Sequence, residues 1–373
     1  ALTDHGFMYG TLDFYLQAKQ AGIHPVIGCE TYVAKGSRLQ KENRESYHLI
    51  LLAKNQTGLR NLQYLISMAS LEGFYYHPRI DHEILRAHAA GLVGLSACLG
   101  GEIPRTYFAL GYEAAKTMAL TYASIFEEGS FYLELQHNRL PEQDELNEVL
   151  VRISAETGIP LVATNDCHYL KREDARSQEI LMAISQRKKL SDPDRMRHEV
   201  DEFYLKSPQE MMEAFAAVPQ AVENTVRIAQ MCQVEIPNNR TAQKPVYFLP
   251  AFPTPENVSQ EDWLRREAAA GFARRLQEIR GHYEIDEKVY RERLEMELNV
   301  IIQMGFAGYF LIVADFINWG KQNGVPVGPG RGSGAGSLVA FAEARKENSS
   351  DPGGGTQNSQ HARSRSYYRQ RYR

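Results

Sequence analysis

Five short stretches of this sequence carry side chains suited to holding a metal ion: Thr3-Asp-His5-Gly, Glu30, His48, Cys98 and Asp166-Cys-His168. Each lies at or beside a short apolar run. Glu30 closes Val26-Ile-Gly-Cys, His48 precedes Leu49–Leu52, Cys98 closes Leu95-Ser-Ala, and Asp166 and His168 follow Leu161-Val-Ala-Thr. Imidazole, carboxylate and thiolate ligands together suit zinc or manganese, and ions grouped around shared carboxylates activate water for phosphoester hydrolysis. Taken singly these residues are ordinary, because the chain holds 11 histidines and a lone cysteine usually fills a core as a small hydrophobe. Their joint placement at strand-to-loop transitions carries the reading.

A second constellation is Val327-Gly-Pro-Gly-Arg-Gly-Ser-Gly-Ala-Gly-Ser337. Glycine permits positive φ and close backbone approach, so Gly330, Gly332 and Gly334, with Arg331, Ser333 and Ser337, can form a phosphate cradle at the start of a following helix. The spacing is neither the Gly-x-x-x-x-Gly-Lys-Ser/Thr loop nor the dinucleotide fingerprint, so it specifies a phosphate without naming its bearer. Gly308–Trp319 before it has the apolar density of a buried helix that ends near Gly324, and Ser337–Ala342 after it can open another.

The elements that must position these groups follow a βα rhythm. Pro25-Val-Ile-Gly, Leu49–Ala53, Gly91–Leu95, Phe131–Leu135 and Ile159–Ala163 are each followed by roughly a helix's length of chain. Continuous apolar runs point to strands covered on both faces, as in a parallel sheet, and the fold class expected is α/β: a TIM-like (β/α) barrel lacking its first unit. Beyond Asp174 a mostly helical α+β segment is expected. Ser207-Pro-Gln-Glu210 is a capping box with proline at the first helical position, opening a helix that carries Met211, Met212 and Phe215. Ser259-Gln-Glu-Asp262 is a second helix start, and five prolines between Pro237 and Pro255 mark a connector.

At 373 residues, 43% of them hydrophobic, the chain has material for two cores. Four widely spaced cysteines suit a reducing compartment better than a disulfide framework. No apolar run approaches the roughly 20 residues of a membrane helix, so a cytoplasmic location without a membrane is expected. A net charge of −4 requires any nucleic-acid contact to come from local basic surface.

The stretch Met304-Gly-Phe-Ala-Gly-Tyr-Phe-Leu-Ile-Val-Ala-Asp-Phe-Ile-Asn-Trp, followed by Asn323-Gly-Val-Pro-Val-Gly-Pro-Gly-Arg-Gly-Ser-Gly-Ala-Gly-Ser-Leu-Val-Ala, resembles the palm of the bacterial replicative DNA polymerase III alpha subunits. Residues 1–222 are similar to the PHP (polymerase and histidinol phosphatase) domain of the same family, through Leu2-Thr-Asp-His-Gly, Gly28-Cys-Glu-Thr-Tyr-Val-Ala, His48–Lys54, Ser96–Ile103 and Ala163–Tyr169. The resemblance implies metal ligands at His5, Glu30, His48, Cys98, Asp166 and His168, with zinc or manganese. It implies the start of a palm over 223–341, in which Gly330–Ser337 contacts the incoming deoxynucleoside triphosphate, and magnesium for polymerisation. The partners it implies are primer-template DNA, a sliding clamp and a proofreading subunit.

Two departures shape what is expected of this chain. The family's first His-x-His motif has its place ahead of Ala1, and its Asp-x-Asp carboxylates have theirs after the glycine-rich loop, where 342–373 offers only Asp351. The chain on its own is therefore expected to be inactive in primer extension. Residues 342–373, rich in arginine, tyrosine, glycine and serine, are expected to form a non-homologous disordered tail.

Overall fold

The computed structural model describes residues 1–237, 248–280, 282–328 and 333–343. Gly330, Arg331, Gly332 and nearly all of the expected tail lie outside the described residues. The chain divides into two compact units, Ala1–Pro237 and Asn238–Arg373.

The first unit alternates strands and helices in chain order: α1 (Thr11–Gln20), β1 (Gly28–Ala34), β2 (Ser46–Ala53), α2 (Gln56–Leu71), β3 (Arg79–Ile80), α3 (His82–Ala87), β4 (Leu92–Leu95), α4 (Glu102–Leu110), α5 (Tyr112–Ala123), β5 (Phe131–Gln136), α6 (Pro141–Thr157) and β6 (Leu161–Thr164). They form one six-stranded sheet in the order β3-β1-β2-β4-β5-β6. The α/β character agrees with the reading from apolar runs, but the sheet is mixed, not purely parallel. β2 runs antiparallel to both β1 and β4, while β1/β3, β4/β5 and β5/β6 are parallel. The reason is local: no helix lies between Ala34 and Ser46, so the chain returns without the crossover that a parallel neighbour needs. Apolar runs report two-sided burial, which β2 has from Leu49 to Ala53, and are silent on direction.

Three further helices complete the unit: α7 (Ala175–Ser185), α8 (Pro208–Ala214) and α9 (Pro219–Met231). The Ser207 side chain accepts from Glu210 N and the Glu210 carboxylate accepts from Ser207 N, the reciprocal cap read from the sequence. Phe215 is buried and Met211 packs on the main core, whereas Met212 is exposed. The boundary expected at 222/223 falls inside α9. That helix stays with the sheet because Asn224 Nδ2 donates to Leu161 O at 2.7 Å and Ile228 and Cys232 join a core cluster with Val162 and Leu52. The chain beyond it is tied in as well: Gln233 N donates to Lys54 O at 2.7 Å and Tyr15 donates to Glu235 at 2.7 Å. The first unit therefore runs to Pro237, where the proline-rich connector begins.

Among its described residues the second unit contains helices only: α10 (Gln260–Ile279), α11 (Glu287–Gln303), α12 (Ala307–Gln322), a 3-10 turn over Ser333–Gly336, and α13 (Leu338–Glu343). Ser259 caps α10 by accepting from Asp262 N at 3.1 Å. Gly324, just past the end of α12, is left-handed at φ 72°, a common way to stop a helix. α12 is less buried than its apolar density implies. It seats Ala307 and Leu311 in the core but leaves Tyr309, Phe316 and Trp319 exposed, because only one stripe faces its neighbours. Ala342 and Glu343, expected in the tail, close α13 instead. Gly271 lets the α10 backbone come so close that a Cβ there would lie 2.0 Å from the Ala342 carbonyl oxygen. No single helix among the described residues is long and apolar enough to cross a membrane.

Candidate metal centre

The sheet gathers His5, Glu30 and His48 at one place. His5 forms an isolated parallel bridge with Glu30 on β1, and β1 pairs with β2, whose residue His48 faces Tyr32 two positions along from Glu30. Glu30 is buried and divides its carboxylate between two imidazoles. Oε2 lies 3.0 Å from His5 Nδ1 and Oε1 lies 2.7 Å from His48 Nδ1. The three ligand atoms lie within 4.8 Å of one another.

Cys98 follows β4, which pairs with β2, and its Sγ lies 3.5 Å from His48 Nδ1. Asp166 and His168 follow β6. Asp166 Oδ1 is 3.8 Å from His168 Nδ1, and the His168 ring centroid is 6.0 Å from that of His5. Among the described residues His5, Glu30 and His48 bring their ligand atoms together, and Cys98, Asp166 and His168 adjoin that group without closing on it. Two of the turns that deliver them are held in the left-handed region without glycine, at Ala97 (φ 62°) and Asp166 (φ 49°). Such conformations are costly and persist where surrounding contacts fix them.

The electrostatics agree with a cation site. Burial opposes ionisation of Glu30, but hydrogen bonds from His48 and His5 outweigh it and hold the carboxyl down at about 2. The hydrogen bond to Glu30 raises the His5 pKa against the opposing effect of burial. Burial pushes Asp166 and the Cys98 thiol upward, with neighbouring carboxylates adding to the shift. A buried thiol of this kind ionises readily only beside a cation. A buried carboxylate held between the imidazoles of His5 and His48 has the donor chemistry of a divalent-ion site.

Sequence reading passed over Glu134. It lies on β5 and is buried. Oε2 accepts from Ala97 N at 3.0 Å; Oε1 accepts from Thr164 Oγ1 at 2.5 Å and Gln136 Nε2 at 3.3 Å. Glu134 N in turn donates to Ser96 Oγ at 2.8 Å. It therefore staples the end of β4, which leads to Cys98, to the end of β6, which leads to Asp166. The available signal was a carboxylate inside the otherwise apolar run Phe131–Leu135. His198 also went unread. It packs edge-on against His168 at 4.8 Å, and burial, helped by the neighbouring imidazole, lowers its pKa to about 4.

In the second unit, the described parts of the glycine-rich segment are Val327, Gly328 and Ser333–Ser337. Gly334 is exposed, with open space where a Cβ would stand. The amides that open α13, expected to converge on a phosphate, are bonded to Glu297 of α11. Its Oε2 accepts from Ser337 Oγ at 2.9 Å, Leu338 N at 2.7 Å and Val339 N at 3.2 Å. A carboxylate here satisfies donors that a helix start leaves orphaned. Glu297→Ala is expected to destabilise the second unit by about 1–3 kcal/mol. Trp263 and Trp319 both lie in this unit and are the chain's two tryptophans, so urea unfolding followed by tryptophan fluorescence reads it alone. An unchanged midpoint would show that Glu297 does not hold the loop.

Comparison with known proteins covers both units. Residues 1–138 match the PHP domain family, and residues 262–344 match the family described as the bacterial DNA polymerase III alpha NTPase domain. The chain is 44% identical over 361 residues to the DNA polymerase III subunit alpha of Helicobacter pylori (strain J99), covering 92% of this chain and 30% of that protein. It is 46% identical over 347 residues to the Borreliella burgdorferi subunit (92% and 29%) and 40% identical over 405 residues to the Thermus aquaticus subunit (92% and 32%). It thus spans about 30% of the length of the curated relatives it matches. With family models matching in both units and 92% of the chain aligned at 40–46% identity to these subunits, the chain belongs to the bacterial DNA polymerase III alpha subunit family.

Proposed function

We propose that this chain serves DNA-directed DNA synthesis, with 223–341 forming the start of a polymerase palm and 1–222, extended to Pro237, a PHP domain. The observation that carries the reading is the match of residues 262–344 to the alpha-subunit family, over the helices that flank the glycine-rich loop. In this reading Gly330, Arg331, Gly332, Ser333, Gly334 and Ser337 contact the triphosphate of an incoming deoxynucleotide, and Arg331 offsets charge on the leaving pyrophosphate. Magnesium would supply charge stabilisation for nucleotidyl transfer, and the Asp-x-Asp carboxylates that would hold it are not found in 342–373. Primer-template DNA, a sliding clamp and a proofreading subunit are the partners, and the cytoplasm is the location.

Purified 1–373 is expected to bind a fluorescent deoxynucleoside triphosphate, more weakly after Arg331→Ala, and to give no magnesium-dependent primer extension. Equal binding by the variant, or extension by the chain, contradicts the reading.

The packing of His5 and His48 on Glu30 supports a second activity in the first unit, metal-dependent phosphoester hydrolysis of the 3′–5′ exonuclease type. His5, Glu30, His48, Cys98, Asp166 and His168 would hold zinc or manganese. A bound divalent ion supplies Lewis acidity toward a phosphoester oxygen and eases ionisation of water. The residues' own part is to present a buried, pre-ionised carboxylate between two imidazoles, and to keep Asp166 and His168 on a turn fixed by Asn165, whose Nδ2 donates to Glu202 O and Tyr204 O. Hydrolysis of a single-stranded oligonucleotide by wild type and its loss in His168→Ala is the expected result. Equal, near-zero hydrolysis in both would leave a non-catalytic scaffold.

A further inference from the structure

Beside the ligand cluster opens a cleft of about 400 Å³ lined by Tyr32, Arg44, Glu45, His48, Tyr76 and His77. Its floor is the stacked pair Tyr32 and His77, with centroids 4.4 Å apart and planes inclined by 22°. The ring of the candidate ligand His48 meets Tyr32 edge-on at 5.3 Å, so the floor runs directly into the cluster.

One lip is a tight turn. Tyr75 N donates to His77 O at 3.0 Å, and Tyr76 between them is held at φ 62° and is 64% exposed. Glycine adopts that backbone freely and a tyrosine does not, so the turn retains strain and presents an aromatic ring to solvent. The exposed Arg44 also lines the cleft. The neighbouring Glu45 carboxylate is neutralised by Lys35 Nζ at 3.1 Å, leaving Arg44 as the charge that faces a ligand. Exposed aromatic rings beside a guanidinium suit an unpaired nucleic-acid strand, whose bases stack irrespective of sequence and whose phosphates pair with arginine.

We propose that this cleft is the entry subsite for the end of a single-stranded nucleic acid. A base stacks at Tyr76 and over the Tyr32–His77 pair, Arg44 holds a backbone phosphate, and the adjoining phosphoester is led to the His48 side of the cluster. The proposal rests on the hydrolytic reading of that cluster.

The test is fluorescence anisotropy of dye-labelled oligodeoxythymidine with the full chain, in EDTA so that binding is measured apart from metal loading. Wild type binds the linear strand, and Tyr76→Gly and Arg44→Ala each weaken binding roughly 5- to 150-fold, the equivalent of one lost stacking contact. Tyr76→Phe binds as wild type does. Tyr76→Gly leaves the melting temperature unchanged or raises it, because glycine relieves the turn, so its weaker binding is not a folding defect. A closed circular strand of the same composition binds more weakly than the linear one. The proposal is overturned if wild type does not bind, if both cleft variants match wild type, or if circle and linear strand bind equally. Intact subsite binding without any hydrolysis would refute the hydrolytic reading alone.

Discussion

Replacing Glu134 by alanine is expected to destabilise the first unit by roughly 2–5 kcal/mol, as three buried donors lose their acceptor and a cavity opens between β4 and β6. The donors are Ala97 N–H, Thr164 O–H and the Gln136 amide. The loss should depend on pH in a stated direction. Burial raises the Glu134 carboxyl from the ordinary 4.5 to about 7, against the hydrogen bonds from Thr164 and Gln136 and with help from Asp166 and Glu30. Between those values the unfolded chain releases a proton that the folded chain keeps. Native stability therefore falls as pH rises through this window and levels off above about 7, by about 3 kcal/mol in all from this group. Glu134→Ala removes that slope, so its cost is larger near pH 5 than near pH 8. Urea unfolding followed by circular dichroism at the two pH values, in EDTA, measures both effects. A loss that is the same at both pH values would refute the assignment of the slope to Glu134.

Glu30→Gln is expected to weaken divalent-ion binding by at least about 100-fold while the fold survives. Glu30 is buried, and each of its oxygens faces one imidazole nitrogen at 3.0 and 2.7 Å. Glutamine keeps the shape but turns an anionic acceptor into a neutral group whose amide end repels a cation and a protonated imidazole alike. Competition for zinc against a chelating dye gives the affinity. Variant and wild type binding alike would mean that Glu30 is a partner for two histidines and nothing more.

Much of the centre was legible because chemistry and pattern coincide at strand ends. Glu30, His48, Cys98 and Asp166 each interrupt or adjoin an apolar run, and a polar group there is either capping or working. What the runs do not encode is direction. β2 reverses because of the connection between Ala34 and Ser46, and that reversal brings His48 across from Tyr32. Glu134 was illegible for a related reason: a single carboxylate in a strand reads as a solvent-facing position until the covering elements are known. The helical half was legible where caps are written locally, at Ser207 and Ser259. It was misread where burial depends on neighbours, as in α12, whose apolar Phe316 and Trp319 remain exposed. Glu297, 40 residues before Ser337, occupies the start of α13 through a tertiary contact that no local motif announces.

We propose that six residues from five separate segments form one metal centre, and Cys98 gives it a direct optical test. Titration of the chain with cobalt(II) should produce visible ligand-field bands together with an intense near-ultraviolet band from thiolate-to-cobalt charge transfer. Cys98→Ser should remove the charge-transfer band and keep the ligand-field bands, while Cys29, Cys167 and Cys232 remain in place. Absence of the charge-transfer band in wild type, or its persistence in Cys98→Ser, would exclude Cys98 from a shared metal centre.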